Sequence, residues 1–182
     1  MSGARKVEVL FSEKEILLRV MGLAAEIASA QPKDLLVVAI LKGSFMFAAD
    51  LLRAMHRAGL EPQVEFFHLS SYREGTVSSG TVAILRDIES SVKDRDVVLI
   101  DDILESGRTL AFAKDLMAAR GARRVLVCTL LEKRGKREVP IRADFVGFDC
   151  PDEFVVGYGM DVAHSYRELP YIGHVVVEAG KS

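Results

Sequence analysis

Apolar positions change period repeatedly along this chain, and the changes divide it into elements. Ile16, Leu17, Val20, Leu23, Ala24 and Ile27 recur three or four residues apart, the spacing that lines one face of a helix. Ser12 followed by Glu15 makes a capping box before them, and Gln31-Pro32 closes the segment. Residues 35–41 are a continuous apolar run, read as a buried strand. Residues 44–58 then read as a helix with Gly59 just past its end. A strand is predicted over 64–69 and another over 81–85. The polar stretch SSYREGTVSSG (70–80) between them reads as a loop, long enough to close as a lid. After a charged connection (87–95), strand 97–100 leads to a helix whose inner face is Leu110, Ala113, Leu116 and Met117, stopped by Gly121, and then to strand 125–131. Beyond Pro140 the pattern breaks into short strands at 145–148 and 154–158 and a mixed tail. Strand and helix alternating in this way predict an α/β fold with a parallel sheet.

The run VVLIDDILESGRTL (97–110) joins this pattern to chemistry. Its strand ends in Asp101 and Asp102, at the carboxyl edge where open α/β sheets collect ligands. Adjacent carboxylates accept hydrogen bonds from vicinal hydroxyls and attract Mg²⁺. Ser106, Gly107 and Thr109 then supply a tight turn, amides and hydroxyls at the start of a helix, the means of wrapping a phosphate. Diol and phosphate at one strand end describe ribose 5-phosphate.

Composition narrows the classes. With 182 residues, 49% of them hydrophobic, the chain suits one domain over 1–182 with a sizeable core. A net charge of −2 provides no global field for nucleic acid or an acidic membrane, so neither is expected as a partner. Cys128 and Cys150 are isolated and fit a reducing cytoplasm. The opening residues lack a signal-peptide core, and no run approaches the length of a membrane span. His56, His68, His164 and His174 form no close metal-binding pair in sequence. Asp149, Asp152 and Glu153 are read as solvated.

The 97–110 run resembles the signature of the type I phosphoribosyltransferases, which bind phosphoribosyl pyrophosphate (PRPP) between a strand and a helix. Four further motifs resemble the hypoxanthine and guanine branch of that family: Leu41-Lys42-Gly43-Ser44, Ser71-Tyr72, Lys133 at a strand end, and Phe154-Val155-Val156-Gly157-Tyr158 followed by Asp161. The resemblance implies a small hood subdomain formed mainly by about 140–182 and the N-terminal segment, with a mobile loop at about 70–80. It assigns PRPP to Lys42, Gly43, Asp101, Asp102, Ser106, Gly107, Arg108, Thr109 and Arg167. In the family the backbone at Lys42-Gly43 receives pyrophosphate, often through a non-proline cis peptide, and Ser71 and Tyr72 belong to the closing loop. Lys133 would donate to the 6-oxo group, Phe154 would stack on the purine and the backbone at Val155 would meet its edge. Asp161, with Asp101 and Asp102, would hold Mg²⁺, and Glu105 would be the general base.

The implied reaction is purine salvage: PRPP and a 6-oxopurine, hypoxanthine or guanine, giving nucleotide and pyrophosphate, by a homodimer or homotetramer. Two positions depart from the family pattern. Asp101 stands where Glu is common, and Glu105 stands where relatives have Asp, which moves the carboxylate by one methylene. A nucleotide- or RNA-binding regulator without turnover, and a xanthine phosphoribosyltransferase, are the alternatives. Around Lys133, the cations Arg134, Lys136 and Arg137 have no assigned role.

Overall fold

The computed structural model describes residues 5–71 and 82–177. Its elements in chain order are β1 (Arg5–Phe11), α1 (Glu13–Ser29), β2 (Leu36–Leu41), α2 (Phe45–Arg57), β3 (Gln63–Ser71), β4 (Val82–Arg86), β5 (Asp96–Leu104), α3 (Arg108–Ala119), β6 (Arg124–Glu132), β7 (Phe145–Asp149), β8 (Val155–Val156) and β9 (Ile172–Val177), with a single 3-10 turn at Arg134–Lys136. The capping box forms as expected: Ser12 Oγ accepts from the Glu15 amide at 3.3 Å, and the Ser12 amide donates to Glu15 Oε2 at 2.8 Å.

Six strands make the main sheet in the order β4-β3-β2-β5-β6-β7. Its pairings are parallel from β3 to β7, while β4 runs antiparallel to β3. The expected parallel sheet therefore gains an antiparallel edge strand at β4.

Alternation along the strands divides the core. Val37 and Ala39 of β2, with Val98 and Ile100 of β5, pack under α1 and α2; Leu36, Val38, Val97 and Leu99 pack under α3. Both faces are covered, which is why these strands read as unbroken apolar runs.

A three-stranded sheet, β1-β9-β8, makes the hood, with β9 antiparallel to both neighbours. Two sequence expectations are corrected here. Residues 145–149 pair with β6 in the main sheet, so the hood does not begin near 140. The strand expected over 154–158 shrinks to Val155–Val156, because Gly157 and Tyr158 take positive φ (96° and 49°) and turn the chain away. Tyr72 and most of the 70–80 loop lie outside the described residues. Among the described residues no helix is long and apolar enough to cross a membrane.

Chain connection fixes where a ligand can enter. From β2 the chain winds through α2 to β3, on one side; from β5 it winds through α3 to β6, on the other. The crevice beyond the carboxyl ends of β2 and β5 is therefore a topological switch point. Pairing between these strands ends at Ala39 and Ile100, whereas β5 stays paired to β6 as far as Leu104.

Candidate active site

The strand carrying Asp101 and Asp102 is longer than the apolar run suggests: both acids belong to β5, and Asp101 pairs with Thr129 of β6. Asp101 is buried, and its Oδ1 accepts from the Asp102 amide at 3.0 Å. Burial pushes its carboxyl well above the ordinary range, and the adjacent Asp102 charge pushes the same way. Among the described residues neither acid has a cationic partner within ion-pair distance.

Gly43 faces Asp102 across the crevice. A Cβ at this position would lie 1.8 Å from Asp102 Oδ2, so only glycine allows the loop this close to the carboxylate. The Leu41-Lys42 peptide is cis. Ser44, fully buried, donates from Oγ to the Ile40 carbonyl and ties the loop back to β2.

The turn into α3 is tight and closely packed. Gly107 has φ 86° and a Cβ there would lie 2.5 Å from Ile141 Cγ2, which excludes a side chain on two grounds. The segment after β6 straps this turn: the Glu138 amide donates to the Ser106 carbonyl at 2.9 Å, and Arg137 Nη1 donates to the Glu105 carbonyl at 2.8 Å. The Arg108 guanidinium pairs with Glu138 on the strap.

A cleft of about 960 Å³ opens over this edge. Lys42, Gly43, Asp102, Glu105, Lys133, Phe154, Val155, Asp161 and Arg167 all line it. Ser106, Gly107, Arg108 and Thr109 do not line it, and lie just beyond Glu105 at the start of α3. Ser71 ends β3, while its neighbour Ser70 lines the cleft with a buried Oγ that has no partner among the described residues.

At one end of the cleft, buried Lys133 places Nζ 3.5 Å from Glu105 Oε1. Phe154 is 61% exposed, so its ring is a free face above the cleft rather than part of the core. At the other end Arg167 binds the hood turn twice, donating to the Gly159 carbonyl at 2.6 Å and pairing with Asp161 Oδ1 at 2.8 Å. Tyr158 anchors this turn to α2 by donating to Asp50 Oδ2 at 2.5 Å; burial and that bond push its hydroxyl pKa up. Asp161 is not gathered with Asp101 and Asp102: among the described residues no three His, Cys, Asp or Glu side chains stand close enough to hold a metal ion.

The phosphoribosyl transferase domain model matches residues 6–163 of this sequence. The chain belongs to the phosphoribosyltransferase family. It is 42% identical over 173 residues to a hypoxanthine phosphoribosyltransferase of Buchnera aphidicola, covering 93% of this chain and 96% of that protein. It is similar to a crystal structure of a Staphylococcus aureus hypoxanthine phosphoribosyltransferase, with TM-score 0.88, 40% identity, and coverage of 96% of this chain and 94% of that one. It also resembles a Bacillus anthracis hypoxanthine-guanine phosphoribosyltransferase, with TM-score 0.87, 39% identity and coverage of 94% and 100%. The architecture is the type I phosphoribosyltransferase fold.

Within this phosphoribosyltransferase, Asp152 and Glu153 are exposed, in keeping with their reading as solvated, but they also line the cleft, which sequence reasoning missed: Asp152 Oδ1 lies 2.6 Å from Lys136 Nζ, and Glu153 Oε2 lies 3.3 Å from His174 Nδ1. Their position immediately before Phe154 was the available signal. Lys136 also lines the cleft, as do His68 and His164.

Proposed function

We propose that this phosphoribosyltransferase transfers the 5-phosphoribosyl group of PRPP to hypoxanthine and to guanine, releasing the nucleoside 5′-monophosphate and pyrophosphate. One observation carries the choice of base: a buried ammonium, Lys133, stands beside a carboxylate, Glu105, at 3.5 Å. A 6-oxopurine in its N7–H tautomer presents the matching edge, O6 as acceptor and N7–H as donor, side by side. Adenine would set an amino group against the ammonium, leaving a buried donor unpaired. The names of the similar proteins support the same reading.

In the reaction N9 attacks C1′ as the bond from C1′ to the pyrophosphate oxygen breaks. The bonding pair leaves with pyrophosphate, and the N7 proton passes to Glu105. Asp101 and Asp102 accept from the ribose hydroxyls, while the amides and hydroxyls from Ser106 to Thr109 hold the 5′-phosphate at the start of α3. The Lys42-Gly43 backbone and Arg167 receive pyrophosphate, and Phe154 covers the purine.

Hard, oxygen-only carboxylates at Asp101, Asp102 and Asp161 suit Mg²⁺. Their dispersal suits an ion completed by one or two carboxylates plus substrate phosphates and water, the usual Mg²⁺ arrangement, rather than an all-protein cage. Bound there, Mg²⁺ would neutralise charge on the departing pyrophosphate.

The test is formation of inosine monophosphate from hypoxanthine by purified protein, requiring both PRPP and Mg²⁺. Binding of PRPP without turnover on any 6-oxopurine would overturn the enzyme reading in favour of a regulator.

A further inference from the structure

Two lysines approach the same oxygen of Glu105. Its Oε1 lies 3.5 Å from Lys133 Nζ and 3.6 Å from Lys136 Nζ, both longer than a hydrogen bond. Lys133 comes from the buried end of β6, while Lys136 comes from the 3-10 turn that follows it. That turn is itself held down, by Arg134 to Asp149 at 2.9 Å and by Arg137 to Glu132 at 2.7 Å. Lys136 also reaches the hood: its Nζ is 2.6 Å from Asp152 Oδ1, two residues before the ring of Phe154. In the same hood segment, Glu153 Oε2 lies 3.3 Å from His174 Nδ1 of β9.

We infer that Lys136 is a positioning residue, a clamp that suspends the Glu105 carboxylate between two ammonium groups and fixes the hood segment 152–154 through Asp152. The inference rests on the hypoxanthine reading above and gives a role to a cation that the family motifs leave unassigned. The physical need comes from Glu105 itself. Its side chain is long and flexible, and beside a single buried cation it would close into a direct ion pair with Lys133. That pair would occupy the donor and the acceptor that the purine edge requires. A second cation at nearly the same distance from that oxygen shares the pull, so neither ammonium closes into a direct pair and the carboxylate stays free to accept N7–H. The Asp152 arm has a separate consequence, since it sets where Phe154 stands above the base.

The two arms predict different kinetic signatures. Lys136→Ala should lower kcat about tenfold, part of the full general-base contribution of about 10²–10⁴, and raise the purine KM while leaving the PRPP KM unchanged. Lys136→Arg should recover most of both. Asp152→Asn cuts only the hood arm, and should raise the purine KM about two- to fivefold with kcat retained, the scale of one exposed ion pair. The charge swap Lys136→Asp with Asp152→Lys restores the hood pair but puts a carboxylate against Glu105. It should therefore recover the purine KM and keep kcat low. Melting curves verify that each variant is folded. Wild-type kcat and purine KM in Lys136→Ala would overturn the clamp while leaving the hypoxanthine reading intact, and recovery of kcat by the swap would overturn the Glu105 arm. Absence of wild-type turnover would overturn the underlying reading, and the clamp with it.

Discussion

Strand β5 holds an aspartate near each end, both buried, and the two are treated in opposite ways. Asp96, at the amino end, is completely buried. Burial pushes its carboxyl up, but the Lys33 amide at 2.9 Å and the guanidinium groups of Arg124 and Arg123 outweigh that and hold it below the ordinary range. Asp101, at the carboxyl end, has no such partner among the described residues, and burial and Asp102 push it up instead. A buried charge that the fold neutralises is structural. One left beside a like charge suits groups that arrive with a ligand, which under the proposed function are ribose hydroxyls and Mg²⁺.

Removing charge at the carboxyl end should then cost turnover, and at the amino end stability. The largest effect is expected at Glu105. Glu105→Gln should lower kcat by about 10²–10⁴-fold, with little change in PRPP affinity, and Glu105→Asp should stay active. Near-wild-type turnover with only a small fall in Tm would assign Glu105 to the positive end of α3, an effect worth about 0.3–1 kcal/mol.

Next comes Asp96→Asn, expected to cost about 2–3 kcal/mol, below the 3–5 typical of breaking a fully buried pair because its arginine partners are accessible to solvent. That corresponds to a fall in Tm of about 4–12 °C for a chain of this size. Because the folded-state pKa is depressed, this stability is present above the unfolded carboxylate value near 3.9 and is lost as pH falls through the folded value. Wild type and variant should converge in acid melts; a constant gap at every pH would show that packing, not charge, is responsible.

The smallest effect has the opposite sign. Asp101→Asn keeps an acceptor for the Asp102 amide and removes a penalised charge, so it should raise Tm at neutral pH by about 2–4 °C, the change about 1 kcal/mol produces, while weakening PRPP binding. The wild-type penalty is absent below about pH 3.9 and grows as pH rises toward the raised folded value, so this gap should close in acid as well. A destabilised Asn variant at neutral pH would break the comparison.

Much of this was legible in the chain because it is local. The Ser12–Glu15 cap, the apolar runs of β2, β5 and β6 and the turn at Gly107 depend on neighbours in sequence. What escaped depends on distant partners. The β1 strand depends on pairing with β9 at the opposite end of the chain, Val7 opposite Val175, and on Phe11 stacking against Phe148. Residues 145–149 look like hood until their pairing with β6 is seen. Charges were hardest to read. Asp96 resembles the end of a charged connection, and Asp152 an unpartnered surface acid, because the cations beside them come from other elements. For the proposed ligand set the motifs were informative at Lys133 and Glu105, yet the suspension of Glu105 between Lys133 and Lys136 required coordinates.

The contact between Gly43 and Asp102 constrains the history this protein can have. With 1.8 Å between an added methyl and the carboxylate oxygen, an alanine at 43 can enter only by swinging Asp102 out of its place. The two positions, far apart in sequence, are thus coupled: a side chain at 43 requires that Asp102 leave this pose, by rotation or by substitution. A library that randomises 43 alone will record an intolerance that belongs equally to 102, and varying both sites together will relieve it.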